Sequence, residues 1–319
     1  MNALPLPQIN APPGRTFAIK TLVGVDADDS YRPALDLLIR IRFANNELTF
    51  AHIDPLMADY GIGVMAPYTI VSDQMQEAVS EAAHSLLNKA AAAATAGGFG
   101  KAECIYANGN SSATLMQIAH DQKLDLVAIG SRKRGVLDRF FLGSVGRTLA
   151  IHGKQSFLVA RKTEHGHGAI RAVFATDHSE YANRCFRRFL DMAPNGIDHV
   201  TIITAMEALA QPDFRLAPSY GEATFLPLSD AEDRMRAHGV EMMQMLVAQG
   251  IQAEFKFEQC HPIEDFARAM EESRSDLLIL GARGHGFLER VFIGSLALHV
   301  VVAEPYSVLV LRIPDDSPL

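Results

Sequence analysis

Short apolar runs alternate along the chain with longer stretches in which apolar residues recur every three or four positions. The short runs consist mostly of Val, Ile and Leu, which is typical of parallel strands covered on both faces, and the longer stretches have the period of amphipathic helices. The predicted strands are Phe17–Val25, Leu48–Asp54, Ala102–Ala107, Leu126–Ile129, Ser156–Ala160, Ala172–Thr176, Val200–Ala205, Ala253–Phe257, Leu277–Leu280 and Ser307–Leu311.

Two of the helical stretches have recognisable ends. The stretch Ser72–Ala96 stops at a pair of glycines, which is a signal for the end of a helix. A second helix is predicted to begin at Ser229, because Glu232 three residues later completes a capping box. We interpret its methionines as core residues rather than as a cofactor or partner groove; they are Met235, Met242 and Met245.

The chain contains two copies of one unit. The segment GSRKRGVLDRFFLGS, which starts at Gly130, recurs as GARGHGFLERVFIGS from Gly281, 151 positions later. The same spacing separates Arg161 from Arg312 at the other end of the unit. We therefore predict a tail over residues 1–14, a first domain over 15–162, a linker over 163–168 and a second domain over 169–313.

In each copy, five predicted strands alternate with four predicted helices. This order is typical of βαβ units, whose crossovers produce a parallel sheet with helices on both faces. The predicted fold class is α/β, with two tandem Rossmann-like domains that each contain a five-stranded parallel sheet.

Composition narrows the class of protein. Hydrophobic residues make up 48% and charged residues 21%, which excludes a mainly disordered chain. The net charge of −8 argues against binding nucleic acid or an anionic membrane through the whole surface. The chain has no C-x-x-C pair and no apolar run of membrane-spanning length, so we expect a cytoplasmic protein without disulfides; its three cysteines are Cys104, Cys185 and Cys260.

Candidate chemistry lies where predicted strands end. An Asp follows the first strand of each copy, at Asp26 and Asp177, and a Gly follows the fourth, at Gly130 and Gly281. From Gly281 the spacing is G-x2-G-x9-G-S, and an apolar helical run comes next. Glycines allow the backbone to approach a phosphate, and a helix that starts after them points free N–H groups at the anion. The same spacing also suits a strand-to-helix turn that holds no ligand.

The motif, the Asp after the first strand and the order of elements together resemble the universal stress protein family in its tandem form. The resemblance covers the chain except for the tails and the linker, and it implies the adenine nucleotide alpha hydrolase-like version of the Rossmann fold. In that family, the complete motif G-x2-G-x9-G-[ST], as in the second copy, marks members that bind ATP.

The resemblance implies a role for individual residues. Asp177 corresponds to the residue on the ribose and adenine side, and Ala205 to a small residue that lines the adenine. The implied nucleotide site of the second domain is Asp177, Ala205, Leu280, Gly281, Arg283, Gly284, His285, Gly294, Ser295 and Leu296. The implied weaker site of the first domain is Asp26, Ile53, Ile129, Gly130, Lys133, Gly143 and Ser144.

Two departures from the family's motif weaken parts of this assignment. Lys133 replaces the second glycine in the first copy, where it would cost on the order of 1 kcal/mol if that position needs a positive φ. Alternatively, Lys133 and its two flanking arginines bind phosphates directly. Gly146 and Ala297 stand where some members carry a further Ser or Thr, which leaves the number of bound phosphates open.

The leading hypothesis is a stress-response module that binds ATP or a related adenine nucleotide, with or without Mg²⁺, mainly in the second domain. No nucleophile, general base or metal cluster is assembled by the sequence, so no catalytic residue is assigned. One alternative is a slow ATPase, with His285 or Arg283 near the phosphates. Another is a nucleotide-free interaction protein: in this family domains pair through the last strand, which implies pairing of the two copies and a homodimer.

Overall fold

The computed structural model describes residues 18–55, 73–133, 140–162, 168–205, 228–258, 261–283 and 293–314. In the first domain the strands are β1 (Ile19–Gly24), β2 (Asn46–Asp54), β3 (Glu103–Asn108), β4 (Leu126–Gly130), β5 (Arg132–Lys133), β6 (Phe140–Phe141) and β7 (Ser156–Ala160). The helices are α1 (Arg32–Ile41), α2 (Asp73–Ala96), α3 (Ser111–Asp121) and α4 (Ser144–His152).

The described elements of the second domain repeat the order of β1–β4, β7 and α1–α4, and the residues aligned with β6 lie outside the described ranges. Its strands are β8 (Ile170–Ala175), β9 (Ile197–Ala205), β10 (Gln252–Glu258), β11 (Leu277–Gly281) and β12 (Ser307–Leu311). Its helices are α5 (Glu180–Asp191), α6 (Leu228–Ala248), α7 (Pro262–Glu272) and α8 (Ser295–Ala303). None of the helices in the described ranges is long and apolar enough to cross a membrane.

Ten of these strands form one sheet, in the order β10-β9-β8-β11-β12-β7-β4-β1-β2-β3. All neighbours are parallel except β7 and β12, which pair antiparallel at the centre through Val308 with Val159, Leu309 with Leu158 and Val310 with Phe157. The strands of the two domains therefore point in opposite directions, and their carboxyl ends lie at opposite edges of the sheet. The outermost strands of this sheet are β3 and β10.

Helices cover both faces of the sheet, which confirms the predicted α/β fold. One apolar core lies under α1, α2, α5 and α6, and the other lies under α3, α4, α7 and α8. The near-continuous Val, Ile and Leu of the strands supply side chains to both cores. Met235 and Met242 are buried on the sheet side of α6, which confirms their interpretation as core residues.

The predicted element ends lie within three residues of the observed ones, and several coincide with them. The largest shift is at β9, which begins at Ile197 and has a bulge that leaves Asp198 without a partner on β8. Helix α6 begins at Leu228, one residue before its predicted start at Ser229. Glu232 forms an ion pair with Arg236, one turn further along the helix, at 2.7 Å. The predicted start of α2, Ser72, lies outside the described residues.

Two buried arginines connect the domains across the β7–β12 pair. Arg161 follows β7, and its guanidinium donates hydrogen bonds to the carbonyls of Val301 (2.6 Å), near the end of α8, and Tyr306 (2.7 Å). Arg312 follows β12, and its guanidinium donates to the corresponding carbonyls of the first domain, Ala150 near the end of α4 and Gln155. Each arginine thus satisfies a helix-terminal carbonyl of the other domain.

Burial lowers the pKa of both guanidinium groups to about 10, which leaves them charged at neutral pH. Two serines add a reciprocal pair of hydrogen bonds between the domains. The backbone N–H of Arg161 donates to Oγ of Ser307 at 3.0 Å, and the backbone N–H of Arg312 donates to Oγ of Ser156 at 3.2 Å. Residues 151 positions apart in the sequence thus make equivalent contacts across a local two-fold axis.

Ion pairs on the α1 and α5 side add to this contact. Arg40 at the end of α1 pairs with Asp276 before β11 at 3.0 Å, and Arg188 of α5 pairs with Asp125 before β4 at 3.1 Å. The backbone of the two α–β turns also meets here, where the N–H of Gly196 donates to the carbonyl of Ile41 at 2.8 Å. A Cβ on Gly196 would lie 1.7 Å from the carbonyl oxygen of Arg40, so this contact requires glycine.

We predict that Arg161→Met and Arg312→Met each lower the free energy of unfolding by about 2 kcal/mol, because buried carbonyls lose charge-assisted hydrogen bonds. Urea denaturation at pH 7.5 measures the change. Lys154→Met, at an exposed lysine beside the same interface, is the matched control and should change stability by less than about 0.5 kcal/mol. Equal effects of all three variants would contradict this role for the arginines.

Candidate functional site

In the second domain, the predicted site residues meet at the carboxyl ends of three neighbouring strands. Strand order reverses at β8, with β9 on one side and β11 on the other, and such a switch point is where open α/β sheets bind ligands. Asp177 lies two residues beyond β8, Ala205 ends β9, and Leu280 and Gly281 end β11. The pairing of Ala175 with both Ile203 and Leu280 keeps these ends level.

The fourth part of this arrangement is the start of α8. Gly294 is the N-cap residue, and its N–H donates to the carbonyl of Ala282 at 2.7 Å, which fixes the helix end beside β11. The first-turn N–H groups of a helix have no partner within the helix and carry partial positive charge. Ser295 and Leu296 are exposed in this turn, so it is open to an anion from solvent.

Tyr181 and Arg283 close one side of Gly281. A Cβ on Gly281 would lie 3.2 Å from the Tyr181 ring and 3.3 Å from Sγ of Cys185, so these side chains pack directly on the glycine. Arg283 places its guanidinium 5.1 Å from the centre of the Tyr181 ring. The structure thus holds a half-buried cation next to the motif glycine. Burial raises the pKa of Tyr181 and raises that of Cys185 to about 12, so both are neutral at pH 7.

The loop after β8 is held by hydrogen bonds to its own backbone. Oδ1 of Asp177 accepts from the N–H of Ser179 at 3.0 Å, and Oγ of Ser179 accepts from the N–H of Ala182 as the N-cap of α5. His178 between them has φ of 56°, a conformation that few residues other than glycine adopt. Its ring extends toward β9, where Nε2 lies 2.7 Å from Oγ1 of Thr204. His178 was not among the predicted site residues.

The first domain brings the corresponding residues together at the opposite edge of the sheet. The N–H of Val25 donates to the carbonyl of Ala51, as the N–H of Thr176 does to that of Ile203. The bulge in β9 adds one residue, so these equivalent acceptors are 152 rather than 151 positions apart. By this register Ile53, two residues beyond Ala51, is the counterpart of Ala205. Ile53 is 8% exposed, Ile129 lies half-buried on β4, and Asp26 lies half-buried two residues beyond β1.

The motif backbone differs between the domains. A Cβ on Gly130 would lie 1.7 Å from the carbonyl oxygen of Ser30, because the β1–α1 loop crosses directly over this glycine. In the second domain a side chain, Tyr181, takes that place. Substitution at Gly130 therefore tests folding of the first domain rather than ligand binding.

Lys133 lies in the two-stranded ribbon of β5 and β6, where it pairs with Phe140. A strand residue has negative φ, so the strain expected of a lysine at this position does not arise. The sequence contained no signal for this ribbon, because two-residue strands are too short to have a period. The residues aligned with Lys133 in the second domain, Gly284 and its neighbour His285, lie outside the described residues, as does Cys260.

Each final motif glycine has room for a Cβ, although Gly143 is half-exposed and Gly294 is buried. A Cβ on Gly143 would meet nothing within 4 Å, and one on Gly294 would make only an ordinary contact with the carbonyl oxygen of Ala282. Packing also explains the missing hydroxyl two residues beyond Ser144. A Cβ on Gly146 would lie 2.5 Å from the side-chain ends of both Ile129 and Leu142, so a Ser or Thr there requires these side chains to shift.

The chemistry available in the second domain suits binding of an anion with an apolar group attached. A helix N-terminus and a guanidinium flank Gly281, while the carboxylate of Asp177 and the small apolar Ala205 lie on the other side of the switch point. Among the described residues, no group of three His, Cys, Asp or Glu side chains could hold a metal ion.

Solved structures of universal stress proteins resemble this chain. A universal stress protein from Archaeoglobus fulgidus has 19% identity and a TM-score of 0.65, over 92% of this chain and 98% of that one. One from Pseudomonas aeruginosa has 14% identity and a TM-score of 0.59, over 93% of this chain and 94% of that one. A universal stress protein in complex with cAMP matches 46% of this chain at 22% identity, with a TM-score of 0.33. No curated protein matches.

The proteins from Archaeoglobus fulgidus and Pseudomonas aeruginosa share the fold of this chain over nearly its whole length. The family model for the universal stress protein family matches twice, at residues 19–161 and 171–312. The two matches coincide with the two halves of the ten-stranded sheet. This chain therefore belongs to the universal stress protein family, as a member with two tandem domains.

Proposed function

We propose that this protein binds ATP or a related adenine nucleotide, mainly in the second domain, and acts as a sensor or regulatory module in a stress response. The observation that carries the proposal is the convergence of Asp177, Ala205, Gly281 and the open first turn of α8 on one switch point. Arg283 adds a positive charge beside Gly281. The complete glycine motif of the second copy supports ATP over an unphosphorylated ligand.

We assign the first domain the weaker site. The β1–α1 loop covers Gly130, and Ile53 occupies the position that Ala205 holds in the second domain. A larger side chain at this position leaves less room for a base. In this proposal the first domain serves chiefly as the partner that completes the central sheet.

Mass spectrometry of small molecules released on denaturation tests the proposal directly. We expect adenine nucleotide at about one molecule per chain, because one of two sites is strong. Absence of nucleotide, together with no thermal shift on addition of ATP and Mg²⁺, would contradict nucleotide binding. Turnover of ATP by the same preparation would favour the slow ATPase instead.

The two final motif glycines provide a matched pair of variants. Gly294→Val should raise the Kd for ATP at least about tenfold, because the side chain covers the N–H groups that receive the phosphates. Gly143→Val makes the same change in the same local geometry of the first domain and should alter the Kd less than about twofold. Isothermal titration calorimetry measures both. Equal losses would show that the first domain binds as strongly as the second.

Asp177→Asn tests the carboxylate while preserving the loop. The amide oxygen of Asn accepts the hydrogen bond from Ser179 as the carboxylate does, so only the charge is removed. Loss of a charged acceptor for the ribose should raise the Kd for ATP about tenfold. Asp26→Asn is the control in the first domain. An equal rise in the Kd for ATP with Asp26→Asn would contradict the assignment of the stronger site to the second domain.

A further inference from the structure

A buried pair of histidines lies beneath the loop that carries Asp177. His238 of α6 is 1% exposed, and its ring centre lies 5.0 Å from that of His178, which is 2% exposed. Phe255 of β10 closes the pair from the outer side, at 6.2 Å from the His178 ring. The pair thus stands between α6 and the strand ends of the candidate site.

His178 connects the Asp177 loop with the end of β9. Its backbone belongs to the Asp177 loop, where its N–H donates to Oγ1 of Thr176 at 3.0 Å and its carbonyl accepts from the side chain of Asn183 at 3.3 Å. Its ring contacts Thr204, the residue before Ala205. A displacement of the His178 ring therefore moves both the Asp177 loop and the end of β9.

His238 supports this ring from below and has no polar partner of its own. Within the described residues, neither ring nitrogen of His238 has a hydrogen-bond partner, although both are buried. A buried polar group in this condition carries a desolvation cost that a leucine would not. The histidine is also particular to this domain. Between the bulge and the positive-φ turns at Gly98 and Gly250, equivalent residues are 152 positions apart, so Leu86 is the counterpart of His238.

The surroundings of His238 disfavour a positive charge. The groups that face it are His178 from the β8–α5 loop and Arg187 from α5, while β9 and β10 present Thr204 and Phe255 on this side of the sheet. Glu241, one turn further along α6, is exposed. Burial lowers the pKa of His238, and the charge of Arg187 lowers it further.

We propose that His238 is a positioning residue that makes nucleotide binding in the second domain sensitive to acid: uncharged, it supports His178 and the Asp177 loop, and its protonation removes that support. This inference rests on the proposed function. The folded form resists a proton that a solvated histidine accepts near pH 6.5. The support that His238 gives to His178 and the Asp177 loop is therefore complete above about pH 6.5, and it is lost as the pH falls below that value.

The test compares wild-type protein with His238→Leu, the residue that the first domain carries at this position, by calorimetric titration with ATP at pH 7.5 and 5.5. Between these values the Kd of the wild type should rise about tenfold more than that of the variant, since only the wild type must exclude a proton to bind. Protonation of ATP itself affects both proteins alike. His238→Gln should behave as the leucine variant does, and His120→Leu, at an exposed histidine of α3, should behave as wild type.

Equal pH dependence in the wild type and His238→Leu would overturn the proposal. Hydrogen exchange of residues 176–183 in the unliganded proteins provides a readout that does not need ATP. At pH 5.5 this segment should exchange faster in the wild type than in His238→Leu, and equally at pH 7.5. If ATP binds neither protein at pH 7.5, the proposed function fails, and equal exchange at both pH values would then overturn the role of His238.

Discussion

The antiparallel pairing of β7 with β12 is the constraint on which the rest of this structure depends. It converts two five-stranded parallel sheets into one ten-stranded sheet and covers an edge of each that would otherwise expose unpaired N–H and C=O groups. Arg161 and Arg312 are part of the same constraint, because each occupies the end of a helix in the other domain. Neither domain satisfies all of its buried carbonyls alone.

The same pairing determines where the two candidate sites lie. Since β7 and β12 run in opposite directions, the carboxyl ends of the two sets of strands lie at opposite edges of the sheet. Helix α4 begins at Ser144 in the first site, and near its carboxyl end the carbonyl of Ala150 accepts a hydrogen bond from Arg312. Arg312 follows β12, the strand next to the one that ends at Gly281 of the second site. Helix α8 has the reciprocal arrangement with Arg161. Duplication has therefore produced two separate sites joined by a shared centre, and they have diverged at Ile53, at Lys133 and in the group that covers Gly130.

Much of the fold and part of the site were predictable from local signals. Buried strands such as Ser156–Ala160 are continuous apolar runs, and their observed bounds match the prediction. The repeat located equivalent residues because its spacing holds at both ends of the unit. The bulge at Asp198 was not predictable, because one additional residue in a strand leaves the hydrophobic pattern almost unchanged. The ribbon that holds Lys133 was missed because it is only two residues long.

The sequence by itself determined the α/β class, the duplication, and the order of Asp and Gly residues at strand ends, since each of these depends on periodicity or on residues close together in the chain. Only the tertiary structure decided that Ser30 covers Gly130 while Tyr181 covers Gly281, and that His238 lies under the Asp177 loop. These contacts join residues about 60 to 100 positions apart on different elements. They follow from how the helices pack on the sheet, which no local pattern encodes.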